Sequence, residues 1–326
     1  MNNTKELSRL SIGFIGAGRV GFTLARYFYE KNLRISGFFS KTYESAAEAA
    51  AFTKSKPYSQ IAELVSESGI IFITTPDSSI YDVYLQLKEC GLKDKILCHA
   101  SGAMPSQVFD GIEREGACGY SVHPIFAVSD KKNSYREIGK AYFTVEGSSE
   151  KMYVIEELFA RLGNGYQVIG AENKAKYHAS LVMSSNLVIG LYHMAASLLC
   201  ECGFSEEAAQ DALKPLFLNN AENLCRMGCE AALTGPVDRN DCGTVKKHLA
   251  VMAEAKRQSA ENDDGGAGAD GADTAITAVY KLLSQELIKV AEKKYPKRDY
   301  GELAELLKDA GSTAGAENVK TQKTER

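Results

Sequence analysis

The sequence predicts an α/β fold in which a doubly wound, mostly parallel sheet is followed by an all-helical second domain. Short apolar segments alternate with helical segments in the first half of the chain, and the predicted strands are residues 10–15, 33–39, 69–75, 95–100, 119–123, 141–146 and 166–169. Most of these strands are continuously apolar, as expected where helices cover both faces of a sheet. Alternating strands and helices also favour parallel pairing through right-handed crossovers.

The pattern becomes purely helical after residue 170. Gly190 is the single helix-breaking residue between 172 and 202, which predicts one long helix that ends at Gly203. Ser205 is then placed to cap the next helix. We therefore expect domains at residues 1–170 and 171–308. Segments 259–273 and 309–326 are poor in apolar residues, which predicts a mobile loop and a disordered tail.

Composition and charge narrow the class of protein. The chain has 326 residues, of which 44% are hydrophobic, and a net charge of −4. It has no cluster of Lys and Arg residues, which argues against nucleic-acid binding. No apolar run reaches the roughly 18–20 residues of a membrane span, and the polar start does not resemble a signal peptide, so we expect a cytoplasmic protein. The eight cysteines lack the spacing of a zinc site, so we expect reduced thiols and no metal.

A glycine-rich segment follows the first predicted strand and precedes a predicted helix. In this context the first glycine of a G-x-G-x-x-G pattern permits a tight turn, and the second lets the backbone approach a pyrophosphate. The third allows the helix to pack closely on the strand, while the helix N-terminus faces the anion. The pattern therefore predicts a dinucleotide-binding Rossmann domain, with the cofactor held by Gly16, Ala17, Gly18, Arg19, Val20 and Gly21.

The end of the second predicted strand distinguishes NAD from NADP. An NAD site usually has Asp or Glu at this position, to accept a hydrogen bond from the ribose. This chain has Ser40 and Lys41 there, and a hydroxyl beside a cation suits a 2′-phosphate. Glu44 is near, but its position in the first turn of the next helix is explained by the helix dipole. The sequence thus favours NADP(H).

Polar residues follow three consecutive predicted strands, and ligands of open α/β sheets bind at the carboxyl ends of the strands. Thr75, Pro76 and Asp77 are expected near the nicotinamide ribose, and Ser101 near the amide. His99 and His123 are candidates to donate a hydrogen bond to a substrate oxygen. The alternative for each histidine is a buried ring that bonds to the backbone.

The start of the long predicted helix is expected to face the nicotinamide end of the cofactor. Lys174 and His178 are four residues apart and share a helical face, which Ser185 continues and Asn186 flanks. An ammonium or imidazolium there would stabilise the charge that develops on a reduced carbonyl oxygen and supply the proton. We therefore predict Lys174, His178 and Asn186 as catalytic and Ser185 as substrate-binding. The alternative is a solvated lysine and a packing histidine.

A polar segment at 234–249 supplies two further candidates. Arg239 is predicted to bind a substrate carboxylate. Asp241 is placed either to contact the substrate or to cap the helix that follows it.

Seven motifs occur in an order that resembles one bacterial family, and the similarity covers about residues 9–256: GAGRVG, TTPD, HASGA, SVHP, FTVEG, NKAKYHAS and TGPVDRND. This family joins a Rossmann domain to a helical domain long described as being of unknown function. It is similar to pyrroline-5-carboxylate reductases, β-hydroxyacid dehydrogenases and ketopantoate reductases. Lys174 lines up with the lysine of the latter two classes, whereas His178 stands where they have asparagine.

The resemblance implies a specific reaction, because some members of the family act as an alternative ketopantoate reductase (2-dehydropantoate 2-reductase). The leading hypothesis is NADPH-dependent reduction of 2-dehydropantoate, a 2-oxoacid, to pantoate in pantothenate biosynthesis. The alternatives are an NADP-dependent imine reductase or β-hydroxyacid dehydrogenase, and a non-catalytic NADP(H)-sensing protein. The apolar character of the long helix further predicts a homodimer formed through the helical domain, and the equally simple alternative is a core buried within the chain itself.

Overall fold

The computed structural model describes residues 6–261 and 275–308, and of 254–261 it describes the backbone alone. The chain divides into two compact units, Met1–Val188 and Ile189–Arg326. The predicted tail at 309–326 lies outside the described residues, as does the predicted loop from residue 262 onward.

Eight strands form one sheet in the first unit. They are β1 Ile12–Ile15, β2 Ile35–Phe39, β3 Lys56–Pro57, β4 Ile70–Ile73, β5 Ile96–His99, β6 Cys118–Ile125, β7 Tyr142–Gly147 and β8 Tyr166–Val168. Their order is β3-β2-β1-β4-β5-β6-β7-β8, and every neighbouring pair is parallel except β6 and β7. The predicted mostly parallel α/β sheet is therefore confirmed. Strand β3 was not predicted, since two residues carry no periodicity.

Six α-helices belong to the same unit. They are α1 Arg19–Glu30, α2 Tyr43–Thr53, α3 Ile61–Glu67, α4 Ile80–Glu89, α5 Met152–Leu162 and α6 Lys174–Ser184. Alternate residues of the strands enter separate apolar cores on the two faces of the sheet. On one face the Phe14 ring stacks on Phe38 and Phe72 at centroid distances of 5.3 and 5.5 Å. Ile71 and Leu97 enter the other core, so both faces of the central strands are buried and the strand ends are held in fixed positions.

The long helix predicted for 172–202 is instead two helices, α6 and α7 Asn186–Glu201, because the backbone leaves the helical region at Ser185 (φ −131°, ψ −82°). Three serines in this segment hydrogen-bond to main-chain carbonyl groups: the Ser180, Ser184 and Ser185 hydroxyls donate to Tyr177 O, Leu181 O and Leu181 O. Such bonds compete with helical backbone pairing and bend helices. The prediction of one continuous helix was therefore wrong.

The boundary between the two units falls after Val188, and not at the predicted residue 170. Helix α6 belongs to the first unit because its first residue is tied to the sheet. The buried Lys174 side chain donates hydrogen bonds to Ser101 O and Ser121 Oγ. The sequence pattern changes at residue 170, but these two hydrogen bonds join a residue after that position to two residues before it.

The second unit is helical over its described residues. After α7 come α8 Glu206–Ala232, α9 Cys242–Glu261, α10 Ala275–Lys294 and α11 Gly301–Leu306. The predicted helix ends are confirmed, because Gly203 adopts φ +94° and the Ser205 hydroxyl accepts a hydrogen bond from Ala208 N. Helix α8 contains Pro215 and is kinked at Gly228. A small core that includes Val245, Ile288 and Leu303 holds α9, α10 and α11 together.

One segment, Ala171–Glu201, is long and apolar enough to cross a membrane by length and composition alone, with a mean hydropathy of 1.4. This finding differs from the expectation that no apolar run reaches the length of a membrane span. None of its apolar window is buried inside the chain, which distinguishes it from an ordinary core helix. A single segment of this kind is weak evidence for a membrane span, and the absence of a membrane partner stays a prediction.

Candidate active site

The glycine-rich turn between β1 and α1 is packed against the end of β4. Gly16 adopts φ +102°, and a Cβ there would lie 2.9 Å from the carbonyl carbon of Thr74. A Cβ at Gly21 would lie 2.3 Å from Thr74 Oγ1. The Thr74 hydroxyl in turn donates to Gly16 O at 2.8 Å. Two of the three glycines are therefore required for packing of the protein itself.

Gly18 has a different role, because a Cβ at this position would meet nothing within 4 Å. It is the N-cap residue of the 12-residue helix α1, and no side chain caps the helix there. Among residues 6–261 and 275–308, no side chain thus accepts from the first backbone N–H groups of α1, and the space above Gly18 is open. Free N–H groups and a helix dipole form an anion site, so this turn fits the pyrophosphate of a dinucleotide.

Side chains after β2 fit a second anion. Ser40 is half-buried and Lys41 is exposed, and Arg19 is exposed at the start of α1. Within the described parts of the chain none of these three side chains makes a hydrogen bond or an ion pair. Glu44 lies in the first turn of α2, as predicted, where Thr42 caps the helix by accepting from Ser45 N. A hydroxyl and cations without protein partners are a suitable set for a phosphate monoester.

The residues after β4 line the same edge of the sheet. Thr75 Oγ1 is buried and has no hydrogen-bond partner among residues 6–261 and 275–308. Pro76 and Asp77 are exposed, and the Asp77 carboxylate accepts a hydrogen bond of 2.6 Å from the Ser101 hydroxyl. A buried hydroxyl without a partner is costly unless a ligand or water supplies one. Thr75 therefore fits the predicted contact with a polar cofactor group.

The segment after β5 is held by its own side chains. His99 is fully buried, with its Nδ1 atom accepting from Ser101 N at 3.2 Å and its Nε2 atom 3.4 Å from Pro105 O. The Ser101 hydroxyl, besides donating to Asp77, accepts from Met104 N at 3.0 Å. We therefore assign the His99 ring to this turn and not to the substrate as predicted. The Ser101 side chain is likewise occupied by protein atoms.

Lys174 is the buried cation of the site, with 2% of its surface exposed. Its Nζ atom donates to Ser121 Oγ at 2.8 Å and to Ser101 O at 3.2 Å, and the Ser121 hydroxyl donates to the same carbonyl at 3.2 Å. Burial lowers the pKa of Lys174 to about 8, although the nearby carboxylates of Glu146 and Asp77 oppose this effect. The three groups form a closed set that fixes the position of the ammonium.

Glu146 on β7 anchors the other end of the segment after β5. It is 5% exposed, and its two carboxylate oxygens accept from Ser106 N at 2.6 Å and from Ser106 Oγ at 2.7 Å. A buried carboxylate needs such bonds, because an unpaired charge in the interior is strongly disfavoured. The turn from His99 to Ser106 is therefore fixed at both ends.

His123 pairs with a residue that the sequence analysis did not select. Its Nδ1 atom lies 2.6 Å from the Tyr177 hydroxyl, and the two rings meet edge to face. Burial and the neighbouring Lys174 lower the pKa of His123 to about 4, so the ring is neutral near pH 7. His123 and His178 both lie against Gly102, where a Cβ would be 2.9 Å from His123 Nε2 and 3.0 Å from His178 Cδ2.

The remaining predicted residues lie elsewhere. Ser185 and Asn186 are exposed at the break between α6 and α7, where the Ser185 hydroxyl is 2.9 Å from Asn186 Oδ1. Arg239 is exposed in the second unit. The Asp241 carboxylate accepts from Thr244 N at 2.9 Å, which is the capping geometry that the sequence left open. Contacts of these four side chains with a substrate stay predictions.

Three site residues were absent from the predicted set: Ser121, Glu146 and Tyr177. Tyr177 lies three residues after Lys174, so the same helical periodicity that selected His178 also places it on that face. Ser121 was visible as part of a polar strand end. Glu146 had no signal of its own, because one acidic residue in an apolar strand becomes informative only when its partner is known.

Comparison with known proteins agrees with this architecture. Residues 1–124 match the Rossmann-like domain, and residues 141–287 match a domain of unknown function, DUF2520. No match was found among curated proteins.

Several solved structures share the fold. A Bacteroides fragilis protein assigned as an NADP oxidoreductase is 23% identical, with 86% of this chain and 98% of that one covered and a TM-score of 0.58. Protein TM1727 of Thermotoga maritima is 24% identical, with 87% and 99% covered and a TM-score of 0.62. A reductive aminase of Aspergillus terreus in complex with NADPH is 15% identical, with 86% and 94% covered and a TM-score of 0.57. At these identities the similarity establishes the fold and not the reaction.

Proposed function

We propose that this protein is an NADP(H)-dependent oxidoreductase that reduces a C=N or C=O bond of a small molecule. The observation that carries the proposal is a continuous series of contacts in the first unit. Thr74 bonds to the glycine turn at Gly16 O, and Asp77, a few residues later, bonds to Ser101. Ser101 O in turn accepts from the Lys174 ammonium. The anion-binding turn and a buried cation thus lie along one edge of the sheet.

Polar groups that have no partner among the described residues indicate where the protein would hold the cofactor. The N-terminus of α1 above Gly18 would bind the pyrophosphate, and Ser40, Lys41 and Arg19 would bind the 2′-phosphate. Thr75 would contact the nicotinamide half. When bound, NADPH supplies the hydride. The NADPH complex of the similar reductive aminase supports this choice of cofactor.

Lys174 supplies positive charge where the reaction needs it. Hydride transfer to a polar double bond leaves an electron pair on nitrogen or oxygen, and a fixed cation nearby stabilises that charge. With a pKa of about 8, the Lys174 side chain is mainly protonated at neutral pH. Its bonds to Ser101 and Ser121 hold it in place before the substrate arrives, so no reorganisation is needed during the reaction.

We place a small imine first among substrates, because the fold is shared with a reductive aminase. A second candidate is 2-dehydropantoate, which the motif resemblance favours. Lys174 would face the developing oxyanion, and binding of the carboxylate by Arg239 stays a prediction from the sequence. The two substrates differ in charge, so a direct comparison distinguishes them.

The test is NADPH oxidation by the purified protein over a panel: a cyclic imine, a ketone with an amine, 2-dehydropantoate and a simple 2-oxoacid. Turnover of the cyclic imine supports the first candidate, and turnover of 2-dehydropantoate alone supports the second. Lys174→Ala should remove turnover but leave NADPH binding intact. A protein that reduces nothing in the panel, and that binds NADPH equally well with and without the Lys174→Ala substitution, would instead be a cofactor sensor.

We also propose that the protein forms a homodimer through its helical unit. Large apolar side chains are exposed on α7 and α8 in the single chain: Ile189, Leu191, Leu216, Phe217, Leu218, Leu224 and Met227. Apolar surface of this extent is rarely left in water, and a second copy is the simplest partner that covers it. Light scattering should give twice the chain mass. A monomer at micromolar concentration would contradict the proposal.

A further inference from the structure

No step of the proposed reduction uses the His123–Tyr177 pair. Tyr177 is on α6 and His123 is on β6, so the bond of 2.6 Å between the hydroxyl and Nδ1 links the helix to the sheet. The ring centroids are 5.8 Å apart at an interplanar angle of 83°. A short bond combined with edge-to-face packing fixes the orientation of the tyrosine hydroxyl.

The pair lies beside the groups that surround the expected reaction centre. The Lys174 ammonium lies 5.4 Å from the centre of the Tyr177 ring, on its face. On the other side, His123 Nε2 lies against Gly102, the residue next to Ser101. The Tyr177 hydroxyl is therefore near the fixed ammonium and the turn after β5, both of which the proposed reaction uses.

Tyr177 and Lys174 differ in how far their side chains are exposed to solvent. Lys174 is 2% exposed, and its Nζ atom already donates to two protein oxygens, Ser101 O and Ser121 Oγ. Tyr177 is only partly buried. The ammonium is thus suited to act through its charge, whereas the hydroxyl is suited to direct contact with a substrate.

We propose that Tyr177 is the catalytic acid, and that His123 orients it by donating its Nδ1–H to the phenol oxygen. This assignment rests on the proposed reductase function. With His123 as donor, the Tyr177 O–H is not used by the histidine and can donate to the substrate nitrogen or oxygen. The Thr144 hydroxyl on β7 also faces the phenol oxygen, and it lowers the pKa of Tyr177 against the effect of burial. With the opposite tautomer, the O–H would be occupied by His123 Nδ1.

The carbon of the C=N or C=O bond accepts the hydride, which leaves the nicotinamide oxidised, and the π electrons move to the heteroatom. The heteroatom forms a bond to the Tyr177 proton, and the Tyr177 O–H bond breaks to leave a phenolate. The His123 Nδ1–H bond and the Lys174 charge stabilise this phenolate until water returns the proton.

The charges around the pair are compatible with this role. Burial raises the pKa of Tyr177, so its proton is present at neutral pH. His123 is neutral there, since burial and Lys174, His178 and His99 all lower its pKa. Glu146 and Asp77 face Lys174 from β7 and from the segment after β4, and they keep that ammonium charged.

The first test is Tyr177→Phe, which removes the hydroxyl and keeps the ring beneath Lys174. General acids contribute on the order of 100-fold or more, so we expect kcat to fall at least about 100-fold while NADPH affinity and the melting temperature stay unchanged. Tyr142→Phe is the matched control, because its hydroxyl bonds to Tyr166 O on the surface. A Tyr177→Phe enzyme with a kcat within about tenfold of wild type would overturn the proposal.

The second test does not depend on turnover. The chain has five histidines, so ¹⁵N-histidine labelling gives few signals, and His123→Asn identifies the signal of residue 123. We expect a neutral ring with its proton on Nδ1 at pH 7, and a change of that signal in Tyr177→Phe. A proton on Nε2 would overturn the proposal. If wild-type protein reduces no substrate, the proposed function fails, and the tautomer still decides the polarity of the pair.

Discussion

At the scale of single residues, the site depends on a buried ammonium with fixed partners. Lys174 is 2% exposed, and Ser121 is completely buried. Removal of one acceptor would leave a buried charge undercompensated, which costs more than the loss of an ordinary surface bond. The geometry therefore makes the protonation state of Lys174 sensitive to its neighbours, and this sensitivity is measurable.

Activity should fall as pH rises through about 8, because the pKa of Lys174 is lowered to about 8 and the charged form is the useful one. In Ser121→Ala the ammonium loses an acceptor at 2.8 Å, so the charged form is less favoured and the alkaline limb should move to lower pH. A kcat profile from pH 6 to 10 for both enzymes checks this. Coincident alkaline limbs would show that Lys174 does not control the rate.

Cofactor preference should depend on Lys41. We expect Lys41→Glu to weaken NADPH binding by about tenfold or more and to leave NADH binding nearly unchanged, because a charge-assisted bond to phosphate is worth roughly 1.5–3 kcal/mol. Fluorescence titration with both nucleotides measures the effect. Lys297→Glu, at another exposed lysine, is the control. Equal losses for NADPH and NADH would mean that Lys41 is not at a 2′-phosphate.

At the scale of elements, the turn from β1 to α1 contains two glycines that packing requires and a third that leaves space for a ligand. Gly21 is closed in by Thr74 and Gly16, whereas Gly18 faces open space. All three match one sequence pattern, yet only the structure shows which of them the fold itself requires.

Substitutions in this turn should therefore have opposite consequences. Gly18→Ala should fold normally but lose NADPH affinity, because the methyl group occupies space that a pyrophosphate would approach. Gly21→Ala places a carbon 2.3 Å from Thr74 Oγ1 and 2.4 Å from Gly16 O, so it should lower stability by about 1–3 kcal/mol. Thermal melts and NADPH titrations of both variants test the pair. Stable, fully binding Gly18→Ala protein would contradict the assigned phosphate position.

Some element boundaries are encoded in local sequence patterns, and others depend on tertiary contacts. The strands were predictable because continuous apolar segments report burial on both faces. The break at Ser185 was not, since apolar periodicity continues across it, and the serine-to-carbonyl bonds that accompany it depend on local geometry. The pairing of His123 with Tyr177 likewise joins residues 54 positions apart, which no local pattern reports.

At the scale of the whole molecule, two buried histidines make stability depend on pH. Burial lowers the pKa values of His99 and His123 to about 4, below the ordinary value of 6.5. The unfolded chain therefore binds more protons between about pH 6.5 and pH 4, and folding stability is lost as pH falls through that window. Protonation of His99 Nδ1 would also break its bond from Ser101 N.

We expect each of these histidines to cost about 3 kcal/mol of unfolding free energy by pH 4. His99→Asn should lose less stability on acidification than wild type, because an amide oxygen accepts from Ser101 N without titrating. Denaturant unfolding at pH 7 and pH 5 measures the difference. Parallel losses in both proteins would show that carboxylates, and not His99, control acid unfolding.

Local sequence patterns were sufficient to predict the α/β class, the seven longer strands and the glycine turn, and to select Lys174 as a candidate, because burial pattern and turn chemistry are local properties. The tertiary structure supplied contacts that no local pattern reports. It assigned His99 to a turn, brought Ser121 and Glu146 beside the buried network, and paired Tyr177 with His123. These outcomes depend on which distant residues a strand end or helix face meets. The fold of the chain, and not the type of residue, determines which of these side chains come into contact.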